Sequence, residues 1–425
     1  MNGLKYGVDD RMGPIPLLMY GVQWLLVAIP FAVIVGGIAA RCHYSGDADL
    51  QTFYLQKMLI IMGITTVIQV LWGHKLPLIM GPADIMLVGV LSALAAGIEA
   101  IYTSLMIGGA ILTIASFSGI LRKAQKLFTI RVVVTILFLI SLSLTPAISD
   151  LIYDSEGQPQ LKLVFALVTA LLMFSASRVL PGIWKSMTVL LGMLIGTGVY
   201  FAVYGLPAAP AVNGTFGLQI QGLFLSSFDF NIGTLLAFMI CYVALFVNEL
   251  SSVEAAGQLF NADNMEKRTG RAMKIFGASN MLSGFGGVLG SVDYTISLGV
   301  ISATGCASRF PIVPAGIGLT VFALFPQAIV MMTLVPGAVM AAVLLYLLTA
   351  IIGSAFSLLV REKAISSFDS GLVIGLPLMV AIMVAFTPEE VIAHSPELLK
   401  PIIGNAFVVS TMLAMLLEHV LLKEK

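Results

Sequence analysis

The sequence predicts an all-α polytopic membrane protein with fourteen transmembrane segments. Its composition, the spacing of its apolar runs and the placement of its charges lead to this fold class. Of 425 residues, 59% are hydrophobic and 10% are charged, and the mean hydropathy is +1.01, whereas about 25% of residues are charged in soluble domains. So few charges cannot cover a globule of this size, and lipid must surround it.

The apolar runs give the number of segments. A helix needs about 20 apolar residues to cross the hydrocarbon core, and fourteen runs meet this requirement. The connections between them are short, so no separate soluble domain is expected. The runs begin near Pro14, Phe53, Pro77, Tyr102, Val132, Leu163, Ser186, Asn231, Ala272, Tyr294, Pro311, Val335, Gly371 and Ile402.

The charges give the orientation. With fourteen spans and both termini in the cytoplasm, 18 of the 22 Lys and Arg residues lie on the cytoplasmic side, as the positive-inside rule requires. The polar N-terminus precedes a long apolar run with no clear cleavage site, which favours a retained first helix. We therefore expect a multi-pass protein of the plasma (inner) membrane, with the lipid bilayer as its surroundings.

The charge balance and the cysteines exclude other partners. Equal numbers of basic and acidic residues, 22 each, leave no excess that would favour nucleic acid. Cys42, Cys241 and Cys306 are far apart and lack metal-ligand spacing. We expect no metal site and no cofactor.

Four acidic residues fall inside predicted spans, namely Asp84, Glu249, Glu254 and Asp293. A carboxylate in the bilayer is costly and usually faces a cavity, a partner or a pathway. Glu249 and Glu254 are five residues apart, about 140° around a helix, so they do not share a face. Glu249 is the deeper of the two, and a buried carboxyl can carry a proton or accept hydrogen bonds from a polar ligand.

Two of these acids lie in related sequences, GPADIMLVGVLSA at 81–93 and GSVDYTISLGVISA at 290–303. They occupy spans three and ten, which correspond if the chain consists of two halves of seven spans. Repeats with an odd number of spans have opposite orientations, which is the inverted repeat of many secondary transporters. Glycines in both sequences, with Pro82 in the first, are expected to interrupt the helices, so two half-helices should converge with their N-termini on a binding site near the midplane.

Several motifs resemble those of the nucleobase–ascorbate transporters, also called nucleobase:cation symporter family 2. The run ISLGVISATGCASR, 296–309, resembles the family signature in span ten, and Glu249 falls at its eighth-span glutamate. HKLPLIMGPADIM, 74–86, resembles the Pro and Gly segment of span three, and GVQWLL, 21–26, resembles the first-span Gln-His pair. The likeness covers nearly the whole chain. Its matching motif residues are Gly81, Pro82, Gly299, Thr304, Ser308 and Arg309.

The chain also departs from this pattern. Ile296 and Ser297 replace the Gln or Glu and the Asn of the signature, and Trp24 replaces the first-span histidine. Asp84 lies where the family has an aromatic residue in span three. Val253 lies where the family has a polar residue in span eight. These changes resemble a divergent branch of the family, whose ligand is another nucleobase or a different solute.

The resemblance implies a seven-plus-seven inverted repeat with short extended segments in spans three and ten. It implies a core domain of residues 13–125 and 231–333, a gate domain of 126–230 and 334–425, elevator-like movement and a homodimer. The expected function is ion-coupled symport of a nucleobase such as uracil or xanthine, with a proton or sodium as coupling ion. The expected binding residues are Gln23, Trp24, Ala83, Asp84, Glu249, Tyr294, Thr295, Ile296 and Ser297, and the expected coupling residues are Asp84, Glu249 and Asp293.

Two alternatives belong to other classes. An anion transporter or channel could use the related sulfate-permease scaffold, but acids beside the half-helices would repel an anion from the positive helix ends. A membrane enzyme is disfavoured because the sequence has no HExxH, GxSxG or Walker motif. Its four histidines, His43, His74, His394 and His419, are all predicted near span ends.

Overall fold

The fold is seen in a computed structural model, which describes most of the chain. The residues described are 5–118, 127, 129–153, 158–181, 184–185, 187–206, 217, 222–260, 262–294, 296–388, 391, 394, 396 and 405–422. The predicted starts of span seven, Ser186, and span fourteen, Ile402, lie outside these ranges.

The first half of the chain contains two long helices, a broken span and a second group of helices. The elements are α1 (Pro14–His43), α2 (Ala48–Leu71), β1 (Met80–Pro82), α3 (Asp84–Ser92), α4 (Ile98–Ser118), α5 (Ile130–Ser143), α6 (Thr145–Tyr153), α7 (Pro159–Val179) and α8 (Thr188–Tyr204).

The second half repeats this order. The elements are α9 (Ile232–Phe260), α10 (Met265–Phe285), β2 (Ser291–Asp293), α11 (Ile296–Thr304), α12 (Ile312–Ala323), α13 (Pro326–Thr333), α14 (Gly337–Arg361), α15 (Phe368–Ala385) and α16 (Ala406–Leu416).

These elements follow the order of the fourteen predicted spans, although not every span is one straight helix. Eight helical segments of the described chain are long and apolar enough to cross a membrane, with α5 and α6 taken together. A ninth results if α12 and α13, bent by 97° at their junction, form one span. Spans three and ten each contain a short strand followed by a nine-residue half-helix, as expected.

The helix contacts show the inverted repeat. If α1, α2 and α4 correspond to α9, α10 and α12, the contacts of each half have counterparts in the other. Helix α2 packs on α12 as α10 packs on α4, and α1 packs on α12 as α9 packs on α4. Likewise α14 packs on α7 as α5 packs on α15. The fold is therefore a seven-plus-seven repeat in which the halves interlock.

Glycines allow the closest of these contacts. A Cβ atom at Gly63 in α2 would lie 2.5 Å from the carbonyl oxygen of Gly316 in α12, and one at Gly316 would lie 2.8 Å from that of Gly63. In the matching pair, a Cβ at Gly284 in α10 would collide with the backbone of Met106 in α4. Small residues of this kind are typical where membrane helices approach closely.

Most contacts fall into two groups, with α1–α4 and α9–α13 in one and α5–α8 and α14–α16 in the other. The groups touch mainly where α1 meets α8, α3 meets α5 and α9 meets α16. The boundaries of the core and gate domains remain predictions from the resemblance.

The N-terminal segment lies along the residues that follow α11, and we call residues 5–10 the N-terminal strap. The backbone N–H of Lys5 donates to Gly305 O at 2.7 Å, and the N–H of Ala307 donates to Tyr6 O at 3.0 Å. Asp9 accepts from Arg309 Nε at 2.7 Å. These bonds join the start of the chain to the end of the second half-helix.

Candidate functional site

Strands β1 and β2 form a two-stranded antiparallel ribbon that joins the two broken spans. Gly81 pairs with Val292 at its centre, and Met80 pairs with Asp293. Each strand leads within a few residues into a half-helix, α3 from Asp84 and α11 from Ile296. The N–H groups of a first helical turn have no partner within the helix and carry partial positive charge. Two such helix starts therefore lie beside one ribbon.

Tyr294 directly follows β2 and lies over the ribbon. Its ring covers Gly81, where any Cβ atom would overlap the ring, and its hydroxyl donates to Pro82 O at 2.7 Å. The Phe31 ring of α1 meets it edge to face, with centroids 5.3 Å apart. Glycine at position 81 is thus required by the close approach of the Tyr294 ring.

The more accessible side chains at the helix starts are Asp84, Tyr294 and Ile296, all of which are half-buried. Asp84 is the first residue of α3, and its Oδ1 accepts the N–H of Ile85 at 2.9 Å. Ala83 precedes it as the fully buried N-cap. This side of the ribbon offers an aromatic ring, a carboxylate and the start of a helix.

Glu249 of α9 contacts the ribbon at Asp293 and is fully buried. Its Oε2 accepts the backbone N–H of Asp293 at 2.8 Å. Its Oε1 lies 3.5 Å from Gln69 Nε2 of α2, at the outer limit of a hydrogen bond. The carboxylate therefore binds strand β2 through Oε2, whereas Oε1 has only a weak contact with Gln69.

Asp293 is also fully buried, and its side chain faces His74, which lies between α2 and β1. His74 Nε2 is 3.1 Å from Asp293 Oδ2, and both side chains are entirely inaccessible. The angle falls short of an aligned hydrogen bond, and the Asp293 oxygens accept none from any described residue. Asp293 thus links a buried histidine through its side chain and a buried glutamate through its backbone.

The remaining predicted residues have mixed environments. Gln23 and Trp24 are buried in α1, with exposed fractions of 5% and 3%, and Gln23 Nε2 has no hydrogen-bond partner in the described part of the chain. Ser297 is buried, and its hydroxyl accepts the N–H of Ile79 at 3.1 Å. Thr295 lies outside the described residues.

The motif residues at the end of α11 have structural contacts. Gly299 is exposed, and a Cβ atom there would meet nothing within 4 Å. The Thr304 hydroxyl donates to Val300 O at 2.9 Å. Arg309 donates through Nη1 to Val70 O at 2.7 Å and through Nε to Asp9. It ties the end of α2 to the N-terminal strap.

Sequence reasoning missed His74 and Gln69. His74 follows the end of α2 by three residues, so its position near a span end indicated a solvated side chain. The segment 73–79 runs inward without helical structure, however, and is almost entirely buried, as non-helical backbone at membrane depth must be. The available signal was the polar pair His74-Lys75 just before the Pro and Gly of a broken span. Among the described residues, no group of three or more His, Cys, Asp or Glu could hold a metal ion.

Comparison with known proteins gives the family. A sequence-family model for xanthine and uracil permeases matches residues 16–390. This family is described as the Permease family. The chain belongs to this permease family. It is 22% identical to the xanthine permease of Bacillus subtilis over 95% of this chain and 93% of that protein. It is also 22% identical to the nucleobase transporter PlUacP of Paenibacillus larvae, over 95% and 94% of the two chains.

Solved structures with the same fold support the architecture. The transmembrane domain of the cyanobacterial bicarbonate transporter BicA matches with a TM-score of 0.64, covering 98% of this chain and 100% of that one at 16% identity. At this identity the likeness shows the fold alone. The permease is therefore a multi-pass membrane protein with a small-molecule substrate.

Proposed function

We propose that this permease is a secondary active transporter of a nucleobase such as uracil, xanthine or another purine or pyrimidine. The observation that carries the proposal is the fully buried Glu249 carboxylate beside a ribbon that ends in two half-helices. The matching family model and the names of the relatives support this substrate class.

The ligand would lie between the two helix starts, next to Tyr294, Asp84 and Ile296. A planar base has N–H donors and carbonyl acceptors along its edge. Glu249 Oε1, with Gln69 Nε2 only at 3.5 Å, is the oxygen left to accept a ligand N–H. First-turn N–H groups of α3 and α11 would donate to ligand carbonyls. Gln23, with its unpartnered amide nitrogen, would add a donor from α1.

Coupling would use the acidic residues of the same region. A proton or sodium ion bound at Glu249, with Asp293 in β2 and Asp84 at the start of α3, would offset the cost of a buried negative charge. We propose elevator-like movement of the core domain against the gate domain, a homodimer, and a place in the plasma membrane with both termini cytoplasmic.

Transport of an anion on the same fold has less support. Bicarbonate is named for BicA, but an anion at the two helix starts would face Asp84 directly. Like charges at close range in a low dielectric repel strongly.

Thermal unfolding of the purified protein with a panel of nucleobases tests the proposal. A ligand that binds only the folded state adds about 2.7 kcal/mol at 100 times its Kd. We expect uracil or a purine to raise the unfolding temperature of the wild type, and Glu249→Gln to lose the shift. The matched control is Glu254→Gln, which removes a half-buried carboxylate from the same helix. Stabilisation by bicarbonate or sulfate, with none by any base, would instead support the anion alternative.

A further inference from the structure

We propose that His74 is a positioning residue that holds Asp293 ionised and oriented, so that the exchangeable coupling ion falls to Glu249. The inference rests on the proposed transport function. It assigns different roles to Glu249 and Asp293, which the sequence analysis both predicts as ion-coupling residues. It starts from a buried histidine that the transport proposal does not use.

The hydrogen bond at one ring nitrogen fixes the protonation of the other. Leu76 donates its backbone N–H to His74 Nδ1 at 2.8 Å, so Nδ1 carries no proton. An imidazolium ring has protons on both nitrogens and could not accept this bond. His74 is therefore neutral, with its proton on Nε2, the atom that lies 3.1 Å from Asp293 Oδ2.

This protonation places the Nε2–H beside Asp293 Oδ2, although not in line for a hydrogen bond, and excludes a relay. To pass a proton onward, the ring would need a free second nitrogen, and Nδ1 is occupied by the Leu76 N–H. An N–H dipole fixed 3.1 Å from a carboxylate oxygen instead stabilises negative charge at that oxygen. The charged groups around His74 are Asp293 on β2, Glu249 on α9 behind it, and Arg268 on α10.

The backbone around His74 is held in place. Arg268 Nη1 donates to the carbonyl oxygens of His74 at 3.1 Å and Lys75 at 2.8 Å. Lys75 has a left-handed φ of 57°, and its N–H donates to Gln69 O at 3.2 Å. The ring is thus presented to Asp293 from a fixed turn.

Asp293 connects this turn to Glu249. Its side chain faces His74, while its backbone N–H donates to Glu249 Oε2 at 2.8 Å. Two ionised carboxylates close together in a low dielectric are strongly unfavourable. If His74 keeps Asp293 ionised, the proton or cation that neutralises the pair resides on Glu249. Glu249 is then the group that binds and releases the coupling ion during transport.

Two substitutions separate the two ring nitrogens. In His74→Gln, the amide nitrogen reaches as far as Nε2 and can still donate to Asp293, but the acceptor for Leu76 is lost. In His74→Asn, the shorter side chain keeps an acceptor near Nδ1 for the Leu76 N–H but cannot reach Asp293. The pair therefore distinguishes a role toward Asp293 from a role in holding the turn.

The assay is accumulation of radiolabelled xanthine in proteoliposomes under an imposed proton or sodium gradient, alongside xanthine exchange without a gradient. We expect His74→Gln to accumulate xanthine like the wild type, and His74→Asn to lose accumulation by about tenfold or more while keeping exchange. Without the His74 N–H beside it, Asp293 would compete with Glu249 for the coupling ion. With Asp293→Asn as the background, that competition is already absent, so adding His74→Asn should cause no further loss of accumulation.

Accumulation at the wild-type level in His74→Asn would overturn the inference. Equal losses in His74→Asn and His74→Gln would also overturn it, because His74 would then serve only to hold the turn. If the wild type transports no nucleobase, the proposed function fails, and thermal unfolding decides the inference separately. We then expect His74→Asn to unfold at a lower temperature than His74→Gln, and Asp293→Asn to restore it. Equal unfolding temperatures for the two variants would contradict the inference.

Discussion

At the turn from β1 into α3, Asp84 is the first helical residue, is half-buried and accepts the N–H of the next residue. At the turn from β2 into α11, Asp293 is the last strand residue, is fully buried and faces His74. The positive end of a helix compensates the first carboxylate, whereas a side chain from a neighbouring span compensates the second. The first turn is suited to contact with a ligand, and the second to holding a buried charge in place.

The two Gly-x-x-Asp sequences are therefore not structurally equivalent. Gly81 lies within β1 and Gly290 just before β2, and the central ribbon pair joins Gly81 to Val292. The structural counterpart of Gly81 is thus Val292, two residues further along than the sequence match indicates. A shift of two residues keeps the same face of a strand but moves the acid from the helix into the strand.

The largest expected effect is at the second turn. Glu249→Gln keeps an oxygen for the Asp293 N–H but removes the ionisable group, so we expect uptake to fall by about 100-fold, or about 2.7 kcal/mol. The measurement is nucleobase uptake into proteoliposomes at equal protein content. Glu254→Gln, on a different face of α9, should transport normally. Uptake by Glu249→Gln at the wild-type rate would break the comparison, since the second turn would then carry no coupling group.

A backbone change at the first turn should come next. The Cβ atom in Gly81→Ala overlaps the Tyr294 ring, and overpacking of this kind costs about 1–3 kcal/mol. Thermal unfolding of the purified protein would show the loss. The control is Gly37→Ala in α1, where a Cβ atom meets nothing within 4 Å. A stability of Gly81→Ala equal to that of the control would mean that the ring does not rest on the ribbon.

Asp84→Asn tests the charge of the first turn. Asparagine can still accept the Ile85 N–H, so the helix start should remain, with a loss of at most about 1 kcal/mol from the helix dipole. We expect ligand affinity to fall by about tenfold, which corresponds to about 1.4 kcal/mol. Titration calorimetry with the nucleobase that stabilises the wild type would measure it. Unchanged affinity would assign Asp84 to capping alone.

The smallest expected effect is that of Tyr294→Phe. It removes the hydrogen bond to Pro82 O but keeps the ring on Gly81, so we expect a loss of about 1 kcal/mol in unfolding free energy. Denaturation in detergent would measure it. A much larger loss would show that the hydroxyl, more than the ring, joins the two turns.

The sequence was sufficient for the fold because hydropathy and charge act over whole spans. The order of the spans and the interruption of spans three and ten follow from runs of about 20 residues and from glycine and proline within them, and the inverted repeat follows from the related sequences at 81–93 and 290–303. The site was only partly accessible to such reasoning. Two contacts depend on the path of residues 73–79 between helices. Ser297 accepts the Ile79 N–H, and His74 faces Asp293. No local sequence pattern encodes that path.

The N-terminal strap has a consequence for biosynthesis. Tyr6 forms a parallel bridge with Cys306, so the strap can meet its partner only after the chain has been synthesised as far as Cys306. Contacts so distant in sequence form late and slowly. The strap must therefore stay unpaired while most of the protein inserts. It can bind Arg309 only after the second half-helix has been completed. A bulky fusion before Lys5 would interfere with this last step, whereas one placed after the final helix would not.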